Sequence, residues 1–148
     1  MAFNILVVDD SETMRAVIIR TIGMTGIEIG TMFQAGNGKE ALEILDLDWV
    51  DVILSDINMP EMGGVELLKA IKDDEVLSNI PVIFISTESS QTRMQEAEDL
   101  GVAAYIKKPF MPETIKVILL DVLSKAYASR MEEVVSEGGD DPDDDMDF

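Results

Sequence analysis

The sequence has 148 residues, about the length of one domain and enough to bury a hydrophobic core. It contains no cysteine and no histidine, which excludes disulfides, thiolate or imidazole metal sites and a histidine base, and leaves only hard cations held by oxygen. The 30 acidic and 11 basic residues give a net charge of −19, which argues against nucleic acid or an anionic membrane as the main partner.

The two ends of the chain differ from its body. The first residues carry no basic segment and no apolar run approaches the ~18 residues of a membrane span, so a cytoplasmic protein is expected. From residue 129 onward nine acidic residues accompany one arginine, a net charge of −8. We therefore predict a folded domain over residues 1–128 and an acidic extension over 129–148 that is disordered at least from about residue 138.

Five short apolar segments alternate with amphipathic segments along the body of the chain. Each is rich in aliphatic residues and stops at a polar or charged residue, which is typical of buried strands in a parallel sheet. The predicted strands are residues 3–8, 27–34, 50–54, 81–85 and 103–106.

The intervening segments show the apolar spacing of helices that cover a sheet. Ser11 can cap the first helix, and Asn37 precedes the second. Gly101 closes the fourth helix, and Pro112 lies near the start of the fifth. Five strands alternating with five helices predict an α/β fold with a doubly wound parallel sheet and helices on both faces.

Side chains that can carry chemistry follow four of the predicted strands. Asp9 and Asp10 follow the first strand, and Asp56 follows the third. Ser86 follows the fourth strand and Lys108 the fifth. Because such sheets bind ligands beyond the carboxyl ends of their strands, we expect these side chains to lie together.

The predicted cluster favours phosphoryl chemistry. Three carboxylates in one place repel each other, and Mg²⁺ is the hard cation that suits such a site. A carboxylate can also attack phosphorus to give an acyl phosphate. Asp56 is the favoured nucleophile because it ends the central strand, and Asp9 and Asp10 would then hold the ion. Lys108 and Ser86 would supply a positive charge and a hydroxyl donor to the phosphoryl oxygens.

Four separated motifs resemble the response-regulator receiver family. They are residues 6–11 (LVVDDS), residues 52–64 (VILSDINMPEMGG), Ser86 and residues 107–110 (KKPF). The resemblance covers about residues 3–126 and is greatest to the stand-alone, chemotaxis-type regulators. It implies a flavodoxin-like fold with strand order 2-1-3-4-5. It also implies a signalling switch rather than an enzyme, one that assists its own phosphorylation and dephosphorylation.

The resemblance assigns roles to the residues that receive the phosphoryl group. Asp56 matches the phosphorylated aspartate, and Asp9 and Asp10 match the acidic pair that binds Mg²⁺. Asn58 matches the position whose main-chain carbonyl is a further metal ligand. Lys108 matches the lysine that contacts the phosphoryl oxygens, and its peptide bond to the following proline is expected to be cis.

Four further residues match positions that the family uses to transmit the signal or to gate the site. Ser86 matches the hydroxyl residue that moves to meet the phosphoryl group, and Tyr105 matches the aromatic whose rotamer reports the switch. Glu88 matches a polar gate of the chemotaxis-type subfamily. Thr87 departs from the pattern, since a smaller residue is common there, and we expect its branched side chain to narrow access to the acceptor.

The resemblance also implies partners. A histidine kinase would phosphorylate Asp56, and an output protein, such as a flagellar switch component, would bind the face formed by helix 4, strand 5 and helix 5. We expect a monomer with no nucleic acid or membrane partner. The second interpretation within the family is a phosphorelay intermediate that passes its phosphate to a histidine phosphotransfer protein.

Two other classes of protein share parts of this pattern. A Mg²⁺-dependent phosphohydrolase could use Asp56 as its nucleophile, but such enzymes typically place a second acid two residues later, where this chain has Asn58. A flavin-binding module could share the architecture, but the two aspartates after the first strand would repel its phosphate.

The acidic tail has two interpretations of its own. It is a solvated segment that keeps the protein soluble. Alternatively, Met146 and Phe148 anchor it to a partner or to the protein's own output face.

Overall fold

The structure is a computed structural model that describes residues 2–138, with side chains described for residues 2–128. The described residues form five strands, namely Phe3–Val8 (β1), Ile29–Ala35 (β2), Val52–Ser55 (β3), Val82–Ser86 (β4) and Ala104–Lys107 (β5). Five helices alternate with them, namely Glu12–Gly23 (α1), Gly38–Leu47 (α2), Gly64–Lys72 (α3), Gln91–Asp99 (α4) and Pro112–Gly138 (α5). The predicted alternation is confirmed.

The strands form one parallel sheet in the order β2-β1-β3-β4-β5. Val8 at the end of β1 pairs with Ser55 of β3, and Ser55 pairs in turn with Phe84 of β4. The carboxyl ends of the central strands therefore reach the same edge of the sheet. This arrangement confirms the predicted flavodoxin-like fold.

Each face of the sheet is covered by helices over its own hydrophobic core. Leu6 and Ile53 belong to the core beneath α2, α3 and α4. Val7 and Leu54, the next residues of the same strands, belong to the core beneath α1 and α5. This alternation is the two-residue period of a strand, and all four residues of β3 are buried because both faces are covered.

Side-chain caps begin α1 and α2 close to the edge where β1 and β2 end. The Ser11 hydroxyl accepts the N–H of Met14 at 3.1 Å, and the Asn37 side chain accepts the N–H of Glu40 at 2.9 Å. The Ser11 cap was predicted from the sequence, whereas Asn37 was predicted only to precede the second helix. The positive end of the α1 dipole therefore lies beside the aspartates that follow β1.

The third strand begins two residues later than predicted, at Val52 rather than at residue 50. The carboxylate of Asp51 accepts the backbone N–H of Asn4 at 2.8 Å and the indole N–H of Trp49 at 2.9 Å. The Asp51 side chain thus accepts the N–H of Asn4 in β1. Regular backbone pairing between β1 and β3 starts only after Asp51.

The last helix continues through Gly138 and is 27 residues long. The expected domain boundary at residue 128 falls inside this helix and stays a prediction. The tail that was predicted to be disordered, with Met146 and Phe148, lies outside the described residues. None of the helices that the structure describes has the length and hydrophobicity needed to cross a membrane.

Candidate functional site

The carboxyl edge of the sheet brings the predicted site residues together. Asp9 follows β1 directly and Asp56 follows β3 directly, so that their side chains emerge from neighbouring strands. Ser86 is the last residue of β4, and it pairs with Lys107 of β5, one residue before Lys108. The paired register of four strands therefore creates the cluster.

Three carboxylates meet in this cluster. One oxygen each from Asp9, Asp10 and Asp56 lies within 4.8 Å of the other two. Asp9 is only 2% exposed, Asp10 is exposed and Asp56 is intermediate. Like charges at such distances repel one another unless a cation lies nearby. The arrangement therefore favours the binding of positive charge.

Lys108 supplies part of that charge. Its Nζ lies 3.1 Å from Asp9 Oδ2 and 3.3 Å from Asp56 Oδ2. Its backbone N–H donates to the carbonyl of Ser86 at 2.9 Å, and its peptide bond to Pro109 is cis, as predicted. One ammonium against three carboxylates leaves a formal charge of −2, which suits a divalent cation with oxygen ligands.

Hydrogen bonds hold Asp9 in place on both sides of its Cα. Its Oδ1 accepts the N–H of Ser11 at 2.9 Å, while its main-chain carbonyl accepts Arg15 Nη1 at 2.6 Å. Arg15 Nε also donates to the Gln34 side chain at 3.0 Å, which ties α1 to β2. Sequence reasoning missed Arg15; its position one turn into α1 was the only available signal.

Asp56 is held by similar hydrogen bonds and is more accessible than Asp9. Its N–H donates to the carbonyl of Val8 at 2.9 Å, and its Oδ1 accepts the N–H of Ile57 at 2.7 Å. Its side chain is 13% exposed, so one edge of the carboxylate remains open to solvent. A nucleophile needs this combination of a fixed backbone and an open oxygen.

Gly64 packs closely against the backbone of Asp56. A Cβ at Gly64 would lie 2.2 Å from the carbonyl oxygen of Asp56, which no side chain can tolerate. The N–H of Gly64 also donates to the carbonyl of Ile57 at 2.8 Å. Composition predicted only a loop here, so the sequence analysis did not assign this positioning role to Gly64.

A second network links Ser86, Glu88 and Asn58. Ser86 is fully buried, and its hydroxyl accepts the N–H of Glu88 at 3.2 Å. One carboxylate oxygen of Glu88 accepts the Asn58 amide at 3.0 Å, and the other accepts the N–H of Ser90 at 3.0 Å. The hydrogen bond from Asn58 and, next, that from Ser90 lower the pKa of Glu88, because both stabilise the carboxylate form. Thr87 is exposed at the surface beside this network.

Tyr105 joins the same network from β5. Its hydroxyl donates to the main-chain carbonyl of Glu88, and its ring packs edge-on against Phe84 with the centroids 6.4 Å apart. Burial raises the pKa of Tyr105, and the negative charge of Glu88 raises it further. The hydroxyl therefore remains a protonated donor at neutral pH.

The predicted site residues thus form two connected groups. Asp9, Asp10, Asp56 and Lys108 surround the open carboxylate, while Asn58, Glu88 and Tyr105 form the adjacent network. Ser86 belongs to both groups. Its carbonyl accepts the backbone N–H of Lys108, and its hydroxyl accepts the backbone N–H of Glu88. The site can bind a hard divalent cation and expose one carboxylate to an electrophile.

Comparison with known proteins agrees with this geometry. The family model for the response regulator receiver domain matches residues 5–120. Chemotaxis protein CheY1 of Helicobacter pylori is 42% identical over 121 residues, which cover 81% of this chain and 96% of that protein. Chemotaxis protein CheY of Pseudomonas aeruginosa is 36% identical over 116 residues, which cover 76% and 90% of the two chains.

Solved structures show the same fold. Chemotaxis response regulator CheY4 of Vibrio cholerae has a TM-score of 0.73 and 34% identity, and the match covers 82% of this chain and 99% of that one. A CheY-like receiver domain from Methanospirillum hungatei has a TM-score of 0.78 at 22% identity, covering 87% and 99%, which supports the fold alone. This chain belongs to the response regulator receiver family.

Proposed function

We propose that this CheY-like receiver domain is phosphorylated on Asp56 by a histidine kinase and signals by binding another protein. The observation that carries the proposal is the open carboxylate of Asp56, which lies against two further carboxylates and the ammonium of Lys108. Asp9, Asp10, Asp56 and the main-chain carbonyl of Asn58 would hold Mg²⁺, because their hard oxygen atoms and net negative charge fit this ion.

Phosphorylation makes one bond and breaks one. A carboxylate oxygen of Asp56 bonds to phosphorus, and the bond from phosphorus to the imidazole nitrogen of the kinase breaks, leaving its electron pair on that nitrogen. Bound Mg²⁺ would add positive charge next to the phosphoryl oxygens. Lys108, which already lies 3.3 Å from Asp56 Oδ2, turns its ammonium to the same oxygens and stabilises the charge that develops on them.

The network beside the acceptor offers a route for the signal. The Ser86 hydroxyl accepts the N–H of Glu88, while the Tyr105 hydroxyl donates to the carbonyl of Glu88. When Ser86 turns toward the phosphoryl group, the N–H of Glu88 loses its acceptor, and the segment between β4 and α4 shifts. Tyr105 then changes its rotamer or its partner, which alters the face formed by α4, β5 and α5.

The weak attachment of α4 supports this route. Among the nine residues of α4 only Ala97 is buried, whereas α3, of the same length, has five buried residues. A helix with so few core contacts moves at low cost in free energy. Met94 and Met111, both exposed on or near this face, can contact an output protein.

The relatives support a role in chemotaxis, because several of them are chemotaxis CheY proteins. The output partner is then a flagellar switch component, and the proposal includes a cytoplasmic location beside the kinase. Transfer to a histidine phosphotransfer protein is the alternative. Pull-downs with and without beryllofluoride, which mimics the phosphoryl group, separate the two by the class of protein that is retained.

A labelling experiment tests the acceptor. Wild-type protein with Mg²⁺ and acetyl phosphate gains an acid-labile phosphoryl group, seen as a mass increase or a shift in a phosphate-affinity gel. Asp56→Asn loses this label because the amide is a poor nucleophile, while Asp46→Asn, an exposed aspartate on α2, keeps it. Label that persists in Asp56→Asn overturns the assignment.

The same sample distinguishes a switch from a phosphohydrolase. Asn58 donates its amide to Glu88 and offers no general acid. We therefore expect at most one phosphoryl group on each protein at a time and no hydrolysis of phosphomonoesters.

A further inference from the structure

Arg15 on α1 contacts the backbone of the acidic cluster. Its Nη1 donates to the main-chain carbonyl of Asp9 at 2.6 Å, and its Nε donates to the side-chain carbonyl of Gln34 at 3.0 Å. The guanidinium therefore meets the cluster through a neutral acceptor, although two ionised aspartates follow β1 at this point. This choice of acceptor needs an explanation other than charge pairing.

The carbonyl that accepts from Arg15 belongs to the peptide unit that joins Asp9 to Asp10. Because a peptide unit is planar, a hydrogen bond that fixes its carbonyl fixes the orientation of the whole unit. Rotation of this unit would change ψ of Asp9 and φ of Asp10, and would turn the two side chains relative to each other. One hydrogen bond from Arg15 thus affects the placement of two carboxylates.

Other hydrogen bonds hold the parts of Asp9 that Arg15 does not contact. The N–H of Asp9 donates to the carbonyl of Ala35 at 3.1 Å. Its Oδ1 accepts the N–H of Ser11 at 2.9 Å, and its Oδ2 accepts Lys108 Nζ at 3.1 Å. These bonds fix the peptide unit before Asp9 and its carboxylate, while Arg15 holds the peptide unit that follows.

Arg15 is itself anchored to two elements of the fold. Its N–H donates to the carbonyl of Ser11 at 3.0 Å, which places it in the first turn of α1. Its half-buried side chain reaches Gln34 on β2, and Nη1 lies 3.8 Å from the position that a Cβ on Gly36 would occupy. A planar guanidinium with several donors can serve both acceptors at once.

The burial of Asp9 makes the contact with Arg15 difficult to replace. Asp9 is only 2% exposed, and a buried carbonyl that loses its donor is costly in free energy. Without Arg15 the carbonyl either stays unsatisfied or turns with its peptide unit toward solvent. The second outcome displaces the carboxylate of Asp10 from the cluster.

The charge of Arg15 would have the opposite effect on a bound cation. A guanidinium near the three carboxylates repels a divalent cation, so its removal would strengthen cation binding if charge were its main contribution. If Arg15 acts by holding the peptide unit, its removal weakens cation binding. The two roles therefore predict changes of opposite sign.

We propose that Arg15 is a positioning residue of the magnesium site and sets the Mg²⁺ affinity by holding the peptide unit between Asp9 and Asp10. This inference rests on the proposed function, in which both aspartates hold the ion. Groups that orient metal ligands typically contribute roughly ten- to hundredfold in metal affinity. Arg15 then also sets the Mg²⁺ concentration at which Asp56 accepts a phosphoryl group.

Calorimetric titration of the full chain with Mg²⁺ tests the role of Arg15. Arg15→Met, which keeps an unbranched side chain without a donor, weakens Mg²⁺ binding by about tenfold. Arg15→Lys recovers part of the affinity, because its ammonium can reach the carbonyl of Asp9 but cannot also hold Gln34 in the same way.

Arg20→Met is the matched control for the lost charge. It removes an exposed arginine from the last turn of α1 and changes the Mg²⁺ affinity by less than about twofold, since salt screens distant charges.

Gln34→Ala tests the anchor of Arg15 without changing any charge. Gln34 is exposed, so the variant folds, and urea denaturation in EDTA checks this for every variant. Removal of the acceptor for Nε leaves Arg15 free to leave the carbonyl of Asp9, and we expect Mg²⁺ affinity to fall by about threefold.

Labelling with acetyl phosphate at increasing Mg²⁺ separates positioning from a general loss of structure. Arg15→Met raises the Mg²⁺ concentration for half-maximal labelling by about tenfold and lowers the maximal rate far less. A variant that only lost folded protein would show a lower maximal rate at an unchanged half-maximal concentration.

Three outcomes overturn the proposal. If Arg15→Met binds Mg²⁺ as tightly as the wild type or more tightly, Arg15 acts as a charge, and the proposed function still stands. Equal losses of affinity in Arg15→Met and Arg20→Met reduce the effect to net charge. A wild type that takes up no Mg²⁺ removes the proposed metal site and the role of Arg15 together.

Discussion

A carboxylate is buried at each of the two edges of the sheet, and the surroundings of these two carboxylates are opposite in kind. At the amino edge, Asp51 is 7% exposed and accepts hydrogen bonds from two uncharged donors, the N–H of Asn4 and the indole N–H of Trp49. At the carboxyl edge, Asp9 is 2% exposed and shares its surroundings with two other carboxylates and one ammonium.

The difference separates a structural carboxylate from a functional one. Asp51 has donors on both oxygens, so its burial stabilises the start of β3. The cluster of Asp9, Asp10 and Asp56 keeps an uncompensated charge of −2, which destabilises the metal-free protein and creates affinity for a cation.

Asp51→Ala breaks the amino edge. We expect the free energy of unfolding to fall by about 2–4 kcal/mol, because two donors lose their acceptor at ~1–2 kcal/mol each. Urea denaturation measures the change, and Asp46→Ala, an exposed aspartate on α2, changes stability by less than about 0.5 kcal/mol. The folded fraction of Asp51→Ala still labels on Asp56. A variant as stable as the wild type would contradict the structural role.

At the carboxyl edge, Asp10→Asn is expected to change the free energy of unfolding in the opposite direction. In the presence of EDTA we expect it to raise the free energy of unfolding by about 0.5–1 kcal/mol, since it removes one of three like charges near the surface. Saturating Mg²⁺ reverses the order, because binding stabilises the folded wild type more than the variant. Urea denaturation under both conditions checks the reversal, and a loss of stability in EDTA would argue against repulsion in the cluster.

Tyr105→Phe probes the network that adjoins the site. The variant removes the hydroxyl that donates to the carbonyl of Glu88, and we expect a loss of about 0.5–1.5 kcal/mol in the free energy of unfolding. Tyr127→Phe on α5 is the matched control with an expected change below about 0.5 kcal/mol. Thermal and urea unfolding give both values, and equal effects of the two variants would remove Tyr105 from the network.

The smallest effect is a change in the pKa of Tyr105. Burial raises this pKa first and the charge of Glu88 second, so Glu88→Gln lowers the pKa but leaves it above the ordinary value. The sequence contains two tyrosines, and a Tyr127→Phe background therefore isolates Tyr105 in a tyrosinate absorbance titration. An unchanged titration curve in Glu88→Gln would contradict the assigned contact.

The raised pKa of Tyr105 makes the stability of the protein depend on pH. A raised pKa in the folded state means that the folded protein holds the phenolic proton more tightly than the unfolded chain does. This contribution to stability is complete below the ordinary tyrosine pKa, and it is lost as the pH rises through the folded-state pKa.

The sequence predicts the fold because its strong signals are local. Aliphatic runs such as 52–54 and caps such as Ser11 and Asn37 specify strands and helix starts from neighbouring residues alone. The late start of β3 was not predictable, since the side chain of Asp51 accepts from Asn4, 47 residues away. The full length of α5 was missed because its charged second half has no core-facing pattern.

The site was predictable in its members but not in its contacts. The carboxyl ends of parallel strands lie at the same edge of the sheet, so Asp9, Asp56 and Lys108 were expected to lie close together. The hydrogen bond from Arg15 to the carbonyl of Asp9 depends on one side-chain rotamer. The bond from Tyr105 to Glu88 likewise depends on a loop conformation that no spacing pattern encodes.

Calorimetric titration with Mg²⁺ measures whether the carboxylates at the carboxyl edge bind a cation. We predict that the wild type binds one Mg²⁺, that Asp10→Asn and Asp56→Asn weaken this binding by at least about tenfold because each removes a charged ligand, and that Asp51→Asn binds as the wild type does. Absence of Mg²⁺ uptake by the wild type, or equal affinity in Asp10→Asn and Asp51→Asn, would mean that the carboxyl edge is not a cation site.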